Sequence, residues 1–184
     1  HTVVVPWMVI RDDSSAKAAA DAIQASVRHI FGGGTSISGA MDYAMTLFPQ
    51  GDLKASRRVI DISGDGPNNQ GLGVLPIRQT VLSKGINING LPILLKTSGV
   101  FSSFDIPNLD EYYADCVIGG TGSFSLPIRE KAEFATAIRQ KLMLEIANLT
   151  PEPRARLIRT QAVPHEEKAD CLIGEKLWHR FMDR

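Results

Sequence analysis

The chain has 184 residues, with 20 Lys and Arg against 20 Asp and Glu, and is 43% hydrophobic and 22% charged. That length holds one domain plus a short appendage, and burying roughly 70% of the unfolded surface gives such a domain a core without staples. Zero net charge argues against a nucleic-acid binder or a polybasic membrane clamp, which need a positive field. No apolar run reaches the ~18 residues of a transmembrane segment. Cys116 and Cys171 are too few for a disulfide scaffold or a structural zinc site. Their plain reading is two unlinked thiols, with one bridge as the alternative in an oxidising compartment.

In chain order, Thr2 to Ile10 is apolar and β-branched with Pro6 inside it, which predicts an edge strand. The chain opens with His1 and no signal-peptide pattern; a start within a strand implies an upstream segment. Asp13 and Ser14 are N-cap types before a helix carrying Ala19, Ile23, Val27 and Ile30. Gly32, Gly33 and Gly34 end it, and a second helix sets Ile37, Ala40, Met41, Ala44 and Phe48 on one face. Arg58 to Ser63 predicts a short strand, and 64–69 a turn at its C-terminal end. Leu75 to Lys84 predicts a third helix with Gly85 as its cap, and Ile86 to Leu95 a second apolar strand. A short helix follows over Leu109 to Tyr113, and a last strand over Ser123 to Ile128. Phe134, Ile138, Leu142 and Ile146 lie four apart on an amphipathic helix. Strands alternating with helices predict an α/β domain over 1–147, its mostly parallel sheet flanked by helices. Residues 148–184, interrupted by Pro151, Pro153 and Pro164, read as an extension that wraps the domain or docks on a partner; Leu172, Ile173, Leu177, Trp178 and Phe181 predict a short helix there.

Ligands of parallel sheets sit at the carboxyl ends of the strands. There, Gly32-Gly33-Gly34-Thr35 feeds a helix N-terminus, where free N–H groups hold anions and the Thr35, Ser36 and Ser38 hydroxyls gather. The loop lacks the lysine of a Walker sequence and does not match GxGxxG. Asp65 follows the apolar strand between Gly64 and Gly66, with Asn68 in the same turn. A hard cation such as Mg2+ takes oxygen ligands from one or two carboxylates and fills its shell with water. A hydroxyl from Thr35 and a carboxylate from Asp65 are part of such a shell. Turn formation and capping are the ordinary structural roles of the same residues.

Gly33-Gly34-Thr35 and Asp65-Gly66 resemble the second and third loops of the metal-ion-dependent adhesion site of von Willebrand factor A-type domains. The blocks GGGTSISGA, RRVIDISGDGPNNQG, GININGLPIL, DEYYADCVIGG and GSF are similar, in order, to a bacterial family of such domains, domain of unknown function 1194. The likeness covers roughly residues 2–147. It implies a Rossmann-type fold and a Mg2+ or other divalent cation held by Thr35 and Asp65, with Gly33, Gly34, Ser36, Ser38, Gly64, Gly66 and Asn68 as loop support. It also implies a protein partner whose acidic side chain completes the metal shell, and export to the bacterial periplasm. The first loop of the site, Asp-x-Ser-x-Ser, is absent from this sequence. The fold is therefore expected to lack its first strand-helix-strand unit, leaving the edge of the Asp61 strand open.

The leading expectation is a non-enzymatic protein-binding module. Its alternatives are a structural subunit of a larger assembly with a disabled metal site, and a phosphate- or nucleotide-handling enzyme using the Gly32–Thr35 loop. No catalytic residue emerges. His29 suits a helix C-terminus, His165 and His179 have no metal partner at useful spacing, and Ser63 is not in a nucleophile elbow. Asp110, Glu111 and Asp115 read as a solvated helix face.

Overall fold

A computed structural model describes residues 1–27, 34–48, 55–95, 104–146 and 168–183. Its centre is a parallel pair of strands, β1 (Arg58–Gly64) and β2 (Ile86–Pro92), paired in register from Arg58 with Ile86 to Gly64 with Pro92. Parallel strands need a crossover, supplied here by α3 (Val74–Ser83), and Gly85 at φ +67° turns the chain from α3 into β2.

Alternation along the strands makes two unlike faces. Ile60 and Ile62 of β1 and Ile86 and Ile88 of β2 face the core, where they meet Ile37 and Met41 of α2 (Ile37–Leu47) and Val74 and Val81 of α3. Leu109 and Tyr112 of α4 (Leu109–Tyr112) close that core, joined by Tyr113, Cys116 and Val117 of the π-helical turn that follows. The opposite face carries Asp61 and its register partner Asn89, and α5 (Phe134–Ile146) meets it with Lys141 and Glu145. A polar sheet face thus selects the polar side of α5. Ile138, Leu142, Met143 and Ile146 stay exposed, and Lys141 is the buried residue of that helix.

Two predicted strands are corrected. Among the described residues, Thr2 to Ile10 pairs with no strand, although the Trp7 indole donates to the Leu47 carbonyl. Pro6 lacks an N–H and so removes a donor from any ladder here. Between it, α1 (Asp13–Ala25), α2 and β1 lies an apolar cavity of about 590 Å³. Among the described residues, the outer edge of β1 has no partner strand. Ser123 to Ile128 lies beside β2, bonded through Gly90 to Phe124 and Leu126 and through Pro92 to Ile128. Without an N–H at Pro127, the contact stays at isolated bridges at Ser125 and Ile128.

α1 is capped by Asp12 and Ser15, which bond each other's backbone, one residue before the predicted cap. It ends at Ala25, and the predicted continuation to Ile30 runs beyond the described residues. The final helix, α6 (Ile173–Met182), packs on the domain, and a disulfide joins Cys116 to Cys171 with their Cα atoms 5.5 Å apart. That bridge replaces the plain reading of two unlinked thiols. The two half-cystines, 55 residues apart, meet because the turn after α4 and the segment leading into α6 converge on one wall of the core.

Candidate functional site

At the C-terminal end of β1, the chain turns through Asp65 into a buried loop, Gly66, Pro67, Asn68 and Asn69. The segment before α2 lies against it. The Thr35 N–H donates to Asn69 Oδ1 at 2.6 Å, while the Asn69 and Gln70 N–H groups donate to the Thr35 carbonyl at 2.8 and 3.1 Å. This exchange satisfies backbone groups that a loop would otherwise leave bare. A side chain at Gly66 would stand 3.5 Å from Thr35 Oγ1, so the Thr35 hydroxyl faces the residue that follows Asp65. Asp65 itself is exposed and Thr35 half-buried.

Ser36 is the N-cap of α2, its hydroxyl accepting from the Gly39 N–H at 3.2 Å. Ser38 is buried in the first turn. Its N–H donates to Asn68 Oδ1 at 2.9 Å, and its hydroxyl has no hydrogen-bond partner among the described residues. Asn68 is a hub: its amide group donates to the Leu72 carbonyl at 3.0 Å and to Glu175 Oε1 of α6 at 2.7 Å. Its N–H donates to the Tyr112 hydroxyl at 3.2 Å. Burial pushes the Tyr112 hydroxyl up to about 12, so it remains protonated at neutral pH. Gly64 and Gly71 keep space for neighbours: a side chain at Gly64 would stand 2.8 Å from the Tyr113 hydroxyl, and Gly71, at φ +82°, lies against the Ser36 and Ser38 hydroxyls.

Thr35, Ser36, Ser38, Gly64, Asp65, Gly66 and Asn68 therefore share one loop cluster, with Gly34 packed on the Gln70 side chain. Gly32 and Gly33 lie outside the described residues, as do His29 and His165. Cys116 and Cys171 form their bridge where α6 docks rather than in the loop cluster. His179 is exposed on α6 and Ser63 exposed on β1. The expected acidic face at Asp110, Glu111 and Asp115 is used in part: Asp110 pairs with Arg129 at 2.5 Å, and Asp115 accepts the Ala169 N–H at 2.7 Å.

Sequence reading missed Asn69, Tyr112 and Glu175, which have no local signature for their roles. It also missed the network in which Lys141 bridges Asp61 at 2.5 Å and Glu145 at 2.9 Å while Asn89 donates to Glu145. Only the four-residue spacing of Lys141 and Glu145 hinted at that network.

The donors of the cluster fit a share of a divalent-cation shell: one hydroxyl, one solvent-facing carboxylate and neutral amide oxygens, all hard ligands. Among the described residues no three His, Cys, Asp or Glu groups gather to hold a metal by themselves. Thr35 and Asp65 would by themselves offer a cation two oxygens, the rest of its shell coming from water or another segment.

Comparison with curated proteins gives no match. Among solved structures, the chain is similar to proximal thread matrix protein 1 from the mussel byssus, with a TM-score of 0.51 and 16% identity over 71% of this chain. The match spans 30% of the mussel protein's length. The likeness is one of fold, the von Willebrand factor A-like arrangement of helices around a parallel sheet. The sequence itself matches, over residues 1–150, the family described as "Protein of unknown function (DUF1194)", and the chain belongs to that family.

Proposed function

We propose that this chain is a non-enzymatic protein-interaction module whose contact face is the loop cluster around Thr35 and Asp65. The observation that carries this reading is the hydrogen-bonded exchange of the Thr35 backbone with the Asn69 side chain and the Asn69 and Gln70 N–H groups. It holds a hydroxyl and an exposed carboxylate on neighbouring loops at the strand end. Thr35 and Asp65 would hold a divalent cation together with an Asp-x-Ser-x-Ser loop from outside the described sequence. Bound there, the cation supplies a strong attraction for a carboxylate of a protein partner. The chain's own residues orient the ligands: Asn69 and Asn68 tie down the two loops, and Gly66 leaves room for the Thr35 hydroxyl. The disulfide supports an oxidising, exported setting such as the bacterial periplasm, and no helix among the described residues is long and apolar enough to cross a membrane.

A second reading is favoured by the open edge of β1 and the apolar cavity beside it. Unpaired strand edges recruit other strands, which suits a subunit of a larger assembly with a disabled metal site.

Calorimetric titration with Mn2+ and Mg2+, alongside capture on an immobilised acidic peptide, tests the two readings. Metal-dependent capture that Asp65→Ala and Thr35→Ala abolish is expected for the contact face. Capture that ignores both the metal and these substitutions overturns it and leaves the assembly subunit. Added nucleotide is expected to leave the melting temperature unchanged.

A further inference from the structure

Helix α6 lies beyond residues 1–150, which match the family; two contacts seat it on the loop cluster and two more fix it to the body of the domain. Glu175 Oε1 accepts from the Asn68 amide at 2.7 Å. Gly174 is buried so tightly on this loop that a Cβ there would stand 2.0 Å from the Asn68 carbonyl oxygen. Cys171 is bonded to Cys116, four residues beyond Tyr112, whose hydroxyl accepts the Asn68 N–H. Finally, Trp178 and Phe181 pack on Phe104, the first ring tilted and the second edge-on, at ring-centroid distances of 5.5 and 5.3 Å.

The two loop contacts meet at one residue, Asn68. Asn68 is fully buried, and its side chain also holds the Ser38 N–H at the start of α2. A buried primary amide has a fixed number of donors and acceptors, so its orientation follows from its partners. Nδ2 donates to Glu175 Oε1 at 2.7 Å and to the Leu72 carbonyl at 3.0 Å, while Oδ1 accepts the Ser38 N–H, so the α6 carboxylate oxygen is the shorter of the two contacts that hold the amide in this orientation. The hydrogen bond from α6 is thereby transmitted to the N-terminal turn of α2, three residues from Thr35.

We propose that α6 is an appended clamp on the 65–70 loop, and that Glu175 is its positioning residue, setting the Thr35 and Asp65 loops in register through Asn68. The clamp deepens the reading of this cluster as a contact face and rests on that reading only in calling the loop functional. The disulfide keeps α6 at high effective concentration over the loop, so the hydrogen bond closes without an intermolecular search.

Amide hydrogen exchange on the full chain, without metal, tests the clamp separately from the contact face. Glu175→Ala, with the disulfide intact, is expected to speed exchange at Ser38 and Asn68 by about tenfold, the effect of losing one charge-assisted hydrogen bond. Glu175→Gln, which keeps an acceptor oxygen, is expected to restore protection, and Ile88 and Gly90 of the sheet are expected to be unaffected in both. Unchanged exchange at Ser38 and Asn68 in Glu175→Ala overturns the proposal. So does equal loosening in Glu175→Gln, because a bulk packing role would not distinguish the two variants. Should Glu175→Ala fail to fold, reducing the native disulfide with a phosphine provides the second measurement. Loosening confined to α6, with Ser38 and Asn68 still protected, counts against the clamp, and joint loosening supports it. Loss of Asp65-dependent metal capture with Ser38 protection intact would instead indict the contact-face reading alone.

Discussion

Lys141 Nζ lies 2.5 Å from Asp61 Oδ2, the lysine side chain 8% exposed and the aspartate 35%. With Glu145 on the other side of the ammonium, two carboxylates share one cation beside the sheet. Burial, joined by the Glu145 carboxylate, outweighs the Lys141 hydrogen bond and pushes Asp61 up to about 6.

The sign of the resulting pH dependence follows from which state holds the proton more tightly. Asp61 in the folded chain binds it more tightly than in the unfolded chain, whose value is 3.8. Its contribution to stability is therefore complete below about pH 4 and lost as pH rises through about 6. Thermal melts from pH 4 to 7 should show a decline over that window that Asp61→Asn flattens. An identical slope in the variant would assign the decline to other groups.

The Tyr112 and Tyr113 hydroxyls are adjacent in sequence and opposite in consequence. The Tyr113 hydroxyl is buried with no partner among the described residues. Removing an unsatisfied buried group relieves its desolvation, so Tyr113→Phe should be neutral or stabilising by up to about 1 kcal/mol. Tyr112→Phe strips the acceptor from the Asn68 N–H and should destabilise by about 1–2 kcal/mol. Calorimetric melting of both variants checks the contrast.

Gly174→Ala should lift α6 from its seat, because the new methyl group would collide with backbone at Asn68. A backbone collision relaxes less readily than one with a flexible side chain, and overpacking of this kind costs about 1–3 kcal/mol. Trp178 fluorescence, quenched or shifted on exposure to water, reports whether the helix stays docked.

Reduction of the disulfide opens a loop of 55 residues. The chain-entropy relation puts the loss near 4 kcal/mol. Denaturant melts with and without reductant measure it, and a midpoint that does not move would mean that α6 contributes little to global stability.

How much of this was legible in the sequence varies with the range of the interaction that decides it. α2, β1, α3, β2 and α4 fall where apolar spacing, glycine and turn residues put them, because backbone geometry is read locally. The Thr35 and Asp65 loops are legible as motifs, with Asn68 implied as loop support, but nothing local marks Asn69 as more than a turn former. The period of α5 reveals an apolar stripe without revealing that the sheet face opposite is polar, so periodicity alone does not show which side of the helix is buried. Thr2 to Ile10 has strand composition but no strand, since pairing needs a neighbour that composition cannot provide.

The sequence by itself determined the α/β class, the family and the two loops that end on Thr35 and Asp65, because these rest on periodicity and on contiguous motifs. The tertiary structure alone decided that Cys116 meets Cys171, that Asn68 bonds Glu175 across 107 positions, and that Lys141 is buried between Asp61 and Glu145. Each is a contact between segments far apart in the chain, and such contacts leave no periodic trace in either segment. They exist because the hydrophobic collapse around Ile60, Ile88, Tyr112 and Tyr113 carries their backbones together and forces the polar groups riding on them to find partners there.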